Sequence, residues 1–138
     1  MLIYLDTNIY MDYFENRVDK LRPLGDFAFN LLRRCFECEF SIASSVLVAK
    51  EAEYNGHGQE LQRLNKKLKR VHKLIKVDIK GEDKRKAHLL KMEHNISFND
   101  ALHAVLAAKI GADFLVTRNT KHFCELQDVI EITLPESI

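Results

Sequence analysis

Residues 1–8 read MLIYLDTN, an apolar run that stops abruptly on one acidic and two polar residues. The run from Leu2 to Leu5 alternates too little for a half-exposed edge strand, and its aliphatic and aromatic side chains suit a strand covered on both faces. Such strands are typical of parallel sheets. The stretch therefore predicts a buried first strand with Asp6 directly at its carboxyl end.

Four further apolar runs follow, and segments with helical periodicity separate them. The predicted strands are Leu2–Leu5, Phe40–Ala43, Leu74–Ile79, Phe114–Thr117 and Val129–Leu134. The predicted helices are Thr7–Phe14, Phe27–Cys38, Ser44–Tyr54, Gly58–His72, Glu82–His94, Asn99–Ile110 and Thr120–Glu125. Because the connections are long enough for helical crossovers, this alternation predicts an α/β fold with a mainly parallel five-stranded sheet and helices on both faces.

The composition predicts a single globular domain over residues 1–138, with 46% hydrophobic and 30% charged residues. No apolar run approaches the roughly 20 residues that span a bilayer, and the N-terminus lacks the pattern of a signal peptide. We therefore expect a soluble cytoplasmic protein that does not cross a membrane.

The net charge is +1, but the basic and acidic residues are unevenly distributed along the chain. The segment from Gln59 to Lys91, here called the basic segment, carries twelve basic residues against four acidic ones. Such a segment is explained by a solvated helix surface or by a face that binds phosphate groups. The pattern alone leaves both interpretations open.

Four polar residues fall at or near the carboxyl ends of the predicted strands, where open parallel sheets bind ligands. They are Asp6, Glu51, Asp100 and Asn119. Taken singly, Asp6 and Asn119 are also explained as helix caps, and Ser97 with Asp100 resembles a capping box.

Glu51 is the acid that capping explains least. In a helix it shares a face with Leu47 and Val48, which should point inward, whereas Glu53 lies beside Ala49 and is more plausibly solvated. A carboxylate on an apolar face is costly unless it is paired, hydrogen-bonded or bound to a metal. We therefore select Glu51 as the functional acid of this helix.

Asp100 opens a segment whose apolar residues surround the helix almost completely, which predicts a buried helix with its first turn at the sheet's edge. His103 shares the face of Asp100, and we interpret it as a core histidine or as a residue that orients a ligand. Carboxylates that converge without a cation repel each other. Mg²⁺ or Mn²⁺ would resolve this, since these ions prefer oxygen ligands and serve phosphodiester hydrolysis.

Three stretches together resemble the PIN-domain ribonucleases. They are Asp6-Thr7-Asn8 after the first strand, Glu51 after SSVLVAK, and FNDALHAVLAAKIGADFLVTRNTKHF at residues 98–123. The resemblance extends over nearly the whole chain, and its most specific part is Asn99 to Phe123.

The resemblance implies a three-layer α/β/α sandwich, Mg²⁺- or Mn²⁺-dependent cleavage of RNA, and a homodimer. It also implies a place among the VapC-like toxins of VapBC-type pairs, with a small antitoxin protein as partner. Carried over by position, the catalytic and metal-binding acids are Asp6, Glu51 and Asp100. Thr7 and Asn8 would orient Asp6, while Thr117 and Arg118 would line the entrance, with Arg118 contacting the RNA backbone.

The chain departs from the family pattern at Asn119, because members usually carry Thr-Arg-Asp where this chain has Thr117-Arg118-Asn119. An asparagine offers a carbonyl oxygen but no charge, so we expect one firmly bound ion and a weaker second one. Asp113 starts the same strand and should lie at the opposite end of the sheet.

Three other interpretations remain. The chain could be an inactive PIN-like module that binds RNA or a protein partner without cutting RNA. A phosphatase of the haloacid-dehalogenase kind would need an aspartate at position 8, where this chain has Asn8. A receiver domain would need an acidic pair after the first strand and a phosphoacceptor after the third, for which Asp78 is a poor candidate.

Overall fold

The computed structural model describes residues 1–138 and contains one five-stranded sheet in which every pair of neighbouring strands is parallel. The strands are β1 (Leu2–Leu5), β2 (Ser41–Ser45), β3 (Leu74–Val77), β4 (Phe114–Val116) and β5 (Ile132–Thr133). The helices are α1 (Thr7–Glu15), α2 (Leu24–Phe36), α3 (Val46–Tyr54), α4 (Gly58–Arg70), α5 (Gly81–His94), α6 (Phe98–Lys109) and α7 (Thr120–Phe123). The predicted number and order of strands and helices are confirmed.

The strand order is β3-β2-β1-β4-β5, so the chain moves outward from β1 in one direction and then in the other. Crossover connections between parallel strands are almost always right-handed, so opposite directions place the helices on opposite faces. The contacts agree, because α1 packs on α2 and α3 while α5 packs on α6. The predicted three-layer sandwich is confirmed.

The core lies on both faces of the central strand. Ile3, Tyr4 and Leu5 are fully buried, as predicted for a strand inside a parallel sheet. The run from Ala101 to Ala107 in α6 is also buried throughout, which confirms the prediction of a helix inside the core. These two elements place the residues at their ends against each other.

The boundary between β2 and α3 differs from the prediction. The predicted strand ended at Ala43, but Ser44 and Ser45 continue the pairing with β3. The helix begins only at Val46, because the Oγ of Ser45 accepts a hydrogen bond from the amide of Val48 at 3.3 Å and caps it. No helix combines the length and the apolar character needed to cross a membrane.

Candidate active site

The site begins at the carboxyl end of β1, where the strand order changes direction between β1 and β4. Ligands of open parallel sheets bind at such a switch point. Asp6 follows β1 directly, and its amide donates a hydrogen bond to the carbonyl of Val116 in β4 at 2.9 Å. The residue is 6% exposed, so its carboxylate lies in a largely dry environment at the edge of the sheet.

The carboxylate of Asp6 is held through one of its two oxygens. Its Oδ2 accepts hydrogen bonds from Asn8 Nδ2 at 3.0 Å and from Thr117 Oγ1 at 2.7 Å. The side chain does not cap α1, so the capping explanation is wrong for this residue. The second oxygen, Oδ1, lies 3.6 Å from His103 Nε2 and has no other polar partner. One oxygen of Asp6 is therefore fixed, and the other is available to a ligand.

Asn8 and Thr117 form a small hydrogen-bond network around Asp6. The Thr117 hydroxyl donates to Asp6 and accepts from Asn8 Nδ2 at 3.3 Å and from the Asn119 amide at 3.0 Å. Asn8 Oδ1 accepts from the amide of Arg118 at 3.3 Å. The hydroxyl thus uses its one donor and both acceptor positions. The side chain of Asn119 is exposed and does not cap α7.

Glu51 reaches the same site from α3. Its Oε1 accepts hydrogen bonds from Thr7 Oγ1 at 2.7 Å and from His103 Nε2 at 2.6 Å. Its Oε2 has only a longer contact with Asn99 Nδ2, at 3.4 Å. Glu53 is exposed on the same helix, as expected. We expected Thr7 to orient Asp6, but its hydroxyl holds Glu51 instead.

His103 connects the acids to the core. It is 1% exposed, and its Nδ1 lies 2.9 Å from the hydroxyl of Tyr4, which in turn lies 2.7 Å from Ser45 Oγ. Burial raises the pKa of Tyr4, so the phenol stays protonated. A continuous hydrogen-bond chain therefore runs from Ser45 through Tyr4 and His103 to Glu51. The sequence indicates His103 only as a core or orienting residue, and no pattern in it singles out Tyr4.

The charges of these groups are strongly coupled. Burial opposes the charged form of His103, but its hydrogen bond to Glu51 and the nearby charge of Asp6 raise its pKa above the ordinary value. Burial likewise opposes the carboxylate of Glu51, but the His103 bond and charge lower its pKa on balance. Glu51 is therefore ionised at neutral pH and able to accept a proton or a hydrogen bond.

Asp100 lies further from the centre of the site than the other two acids. Ligand atoms of Asp6, Glu51 and His103 all lie within 4.8 Å of one another, and Asp100 is not part of that compact group. Burial, and then the negative charge of Asp6, raises the pKa of Asp100. Its amide donates a hydrogen bond to Ser97 Oγ at 3.1 Å, which is one half of the predicted capping box.

Arg118 does not lie free at the entrance, contrary to our expectation. Its Nε donates to Asp12 Oδ2 at 3.0 Å and its Nη1 to Glu136 Oε2 at 2.5 Å. The central carbon of the guanidinium also lies over the ring of Phe27, 5.5 Å from its centroid. Two carboxylates neutralise the guanidinium, so its charge is already paired within the protein. Asp113, as expected, lies at the other end of the sheet, where it accepts from the Leu2 amide at 2.8 Å.

A cavity of about 620 Å³ opens beside Asp100. It is bordered by the loop between α5 and α6 and by the start of α7. Its lining includes His94, Ser97, Asp100, Asn119, Lys121 and His122. Solvent and a polar ligand can therefore approach Asp100 from this side.

The donor set fits a hard divalent cation. Asp6 presents a free oxygen, Glu51 presents the weakly engaged Oε2, and burial together with the charge of Asp6 raises the pKa of Asp100. A cation would relieve the repulsion between these acids, and carboxylate oxygens are the ligands that Mg²⁺ and Mn²⁺ prefer.

Comparisons with known proteins agree with this arrangement. The family model described as PIN domain matches residues 3–129. Comparison with curated proteins found no match.

Several solved structures share the fold. VapBC2 from Rickettsia felis, solved bound to a DNA fragment from its promoter, has 24% identity and a TM-score of 0.69, covering 97% of this chain and 98% of that chain. A toxin–antitoxin complex from Klebsiella pneumoniae has 20% identity and a TM-score of 0.64, covering 96% and 97%. VapBC-1 from nontypeable Haemophilus influenzae has 17% identity and a TM-score of 0.63, covering 98% of each chain. Since the family model matches nearly the whole sequence, the chain belongs to the PIN domain family.

Proposed function

We propose that this protein is a Mg²⁺- or Mn²⁺-dependent endoribonuclease that hydrolyses phosphodiester bonds in RNA. The observation that carries the proposal is the arrival of Asp6, Glu51 and Asp100 at one edge of the sheet from three distant parts of the sequence. The PIN domain match supports a nuclease.

Asp6 and Asp100 would hold the metal, directly or through water, and the carboxylate of Glu51 would lie next to it. A bound divalent ion supplies activation of water and stabilisation of negative charge on the attacking and leaving oxygens. The free Oδ1 of Asp6 is the best-placed ligand, because Asn8 and Thr117 already fix its other oxygen.

Glu51 would orient the attacking water or accept its proton. Thr7 and His103 hold one oxygen of the carboxylate, Oε1. Because Oε1 is fixed, the direction in which the other oxygen points is fixed as well. Its lowered pKa keeps it ionised at neutral pH. Thr7 therefore contributes by positioning Glu51.

Asn119 would contribute a hydrogen bond at the entrance without adding charge. Its side chain is exposed beside Asp100 in the polar cavity. One firmly bound ion is therefore the expected stoichiometry, with a second one arriving with RNA.

The cellular role that we propose is the toxin of a type II toxin–antitoxin pair in the cytoplasm, active as a homodimer. The relative from Klebsiella pneumoniae is a toxin–antitoxin complex, and the other two relatives described above are VapBC proteins. The stretch from Val18 to Phe29 offers a partner exposed apolar side chains, since Val18 is 66%, Leu21 96% and Phe29 50% exposed.

A second candidate function is a PIN-like module that binds RNA or a protein without cutting RNA. The observation that favours it is the neutral Asn119 where members of the family usually carry an aspartate. Metal titration combined with a cleavage assay separates the two functions.

The experiment compares the wild type with Asp6→Asn and Asp100→Asn on single-stranded RNA in Mn²⁺. We expect cleavage to fall by at least about a hundredfold in both variants, because each loses a charged metal ligand. Asp128→Asn, at an exposed acid without an ion pair, is the matched control and should cleave normally. Equal cleavage by the wild type and both site variants would reject the proposal.

A further inference from the structure

A second cavity, of about 390 Å³, lies at the carboxyl ends of β2 and β3, between α3 and α4. Lys66 and Lys69 of α4 and Lys76 of β3 line it, and Ser45 and Val77 form part of its wall. The volume is within the range of about 300–1,000 Å³ that is usual for small-molecule sites. It is separate from the cavity beside Asp100.

The sequence of α4 builds one wall of this cavity. Gln62, Asn65, Lys66 and Lys69 follow the spacing that places residues on one face of a helix. A neighbouring face carries buried leucines, namely Leu61, Leu64 and Leu68. The helix therefore packs through its leucines and presents amides and ammonium groups to the cavity.

The three lysines of the cavity are not neutralised by the protein. None of their ammonium groups lies within 4.0 Å of a carboxylate, although other lysines of the basic segment do pair. Lys80 lies 4.0 Å from Asp78, and Lys86 lies 3.4 Å from Glu82. The cavity thus concentrates free positive charge, which attracts an anion.

The rest of the lining is not purely cationic. Val46, Leu74 and Val77 supply apolar surface, and the side-chain oxygen of Asn65 has no hydrogen-bond partner in the protein. A nucleotide combines an anionic phosphate, flat base faces and hydrogen-bonding base edges. The cavity offers a counterpart to each of these groups.

The sheet register places this cavity beside the acids. Tyr4 pairs with Ala43, so Asp6 lies level with Ser45 on the next strand, and Ser45 pairs with Val77 on the strand beyond. Neighbouring strands are about 4.8 Å apart. A strand of RNA at Asp6 therefore needs to extend only across β2 to reach the cavity.

We propose that the cavity binds one nucleotide of the RNA, on the β3 side of the bond that is cut. Lys66, Lys69 and Lys76 hold its phosphate, and the apolar floor contacts its base. This inference rests on the proposed function, because it takes the ligand to be the nuclease substrate. Most of the other basic residues in the basic segment then contribute only to the general surface charge.

The first test measures binding of a short single-stranded RNA of mixed sequence in EDTA, where metal-dependent cleavage is absent. Lys66→Gln/Lys69→Gln/Lys76→Gln should bind about tenfold more weakly than the wild type at 0.1 M salt. The slope of log affinity against log salt should fall by about 0.7, since the three lysines hold one phosphate and each neutralised phosphate of single-stranded RNA contributes about 0.7.

A matched control removes three positive charges elsewhere. Lys84, Arg85 and Lys91 lie exposed on α5 without ion pairs, and their triple glutamine variant should bind RNA nearly as tightly as the wild type. Equal weakening in the two triple variants would overturn the proposal, because net charge alone would explain the binding.

The second test maps the site by lysine modification, read by mass spectrometry, with and without the same RNA. We expect RNA to protect Lys66, Lys69 and Lys76 and to leave Lys84 and Lys91 reactive. Protection by inorganic phosphate or by an acidic peptide but not by RNA would overturn the nucleotide assignment. Protection by RNA in a protein that cuts nothing would support this site while rejecting the nuclease proposal.

Discussion

Two groups of partly buried carboxylates lie near each other in this fold, and they differ in what neutralises them. In the first, here called the arginine cluster, Arg118 pairs with Asp12 and Glu136. In the second, the acid cluster, the imidazole of His103 is the only basic side chain within 4.0 Å of the carboxylates of Asp6 and Glu51.

The difference separates acids that are paired with arginine from acids that are not. In the arginine cluster, Arg17 and Arg22 also pair with Asp12 and Glu136, so permanent guanidinium groups of the protein already balance these carboxylates. The acid cluster has no arginine or lysine within 4.0 Å, and Asp100 holds its proton more tightly than usual because of burial and the charge of Asp6. The acid cluster is therefore compatible with the divalent cation that we propose for it.

Breaking the arginine cluster should produce the largest change in stability. Arg118→Met leaves the 3%-exposed side chain of Asp12 without its main partner, so the free energy of unfolding should fall by about 3 kcal/mol. Urea unfolding measures this. Arg33→Met is the control, because its pair with Glu37 is half exposed on both sides and should contribute at most about 0.5 kcal/mol.

The same variant also tests whether Arg118 contacts RNA. Because its charge is already paired, Arg118→Met should bind RNA normally at a temperature where it is folded. Normal stability combined with weakened RNA binding would contradict the structural role of Arg118 and would support the predicted contact between Arg118 and RNA.

The second prediction concerns the anchor of Glu51. His103→Leu removes the hydrogen bond to Glu51 Oε1 and should lower kcat by about tenfold to a hundredfold, with KM for RNA unchanged. His103→Gln keeps a donor and should recover part of the loss. Steady-state kinetics well below the unfolding temperature separate this effect from a loss of folding. A change confined to KM, or no difference between the two variants, would argue against the positioning role.

The smallest effects concern the folding stability of the metal-free protein, to which Asp83 and Asp100 should contribute with opposite dependences on pH. Burial opposes the charged form of Asp83, but the hydrogen bond from Lys109 lowers its pKa on balance. Its contribution to stability is therefore present above the unfolded value of about 3.9 and lost as the pH falls through the lowered pKa. Burial and the charge of Asp6 raise the pKa of Asp100, so its ionisation costs stability at neutral pH and this cost disappears on acidification.

Thermal unfolding at pH 7 and at acidic pH checks these signs. Asp83→Asn should be about 1 kcal/mol less stable than the wild type at pH 7. Asp100→Asn should be at least as stable as the wild type there. Both differences should shrink at acidic pH. A destabilised Asp100→Asn protein would show that Asp100 is structural.

Much of the fold followed from local patterns. The apolar run from Leu2 to Leu5 and the buried helix after Asp100 were predicted because burial on both faces leaves a clear pattern in the sequence. The end of β2 was missed, since Ser44 and Ser45 are polar and their place in the strand depends on pairing with β3.

The site was predicted only in part. The convergence of Asp6 and Glu51 at one edge followed from the predicted parallel sheet, whose strands end at the same edge, and from the face of Glu51 on its helix. The partner of Thr7 and the ion pairs of Arg118 could not be predicted, because they depend on side chains that are distant in sequence. For His103, the helical spacing from Asp100 was the only signal.

Calorimetric titration of the metal-free protein with Mn²⁺ tests the central claim most directly. The wild type and the control Asp128→Asn should each bind the ion, while Asp6→Asn should bind it at least about tenfold more weakly. Binding of equal strength in all three proteins would contradict the claim, because the ion would then be held outside the acid cluster.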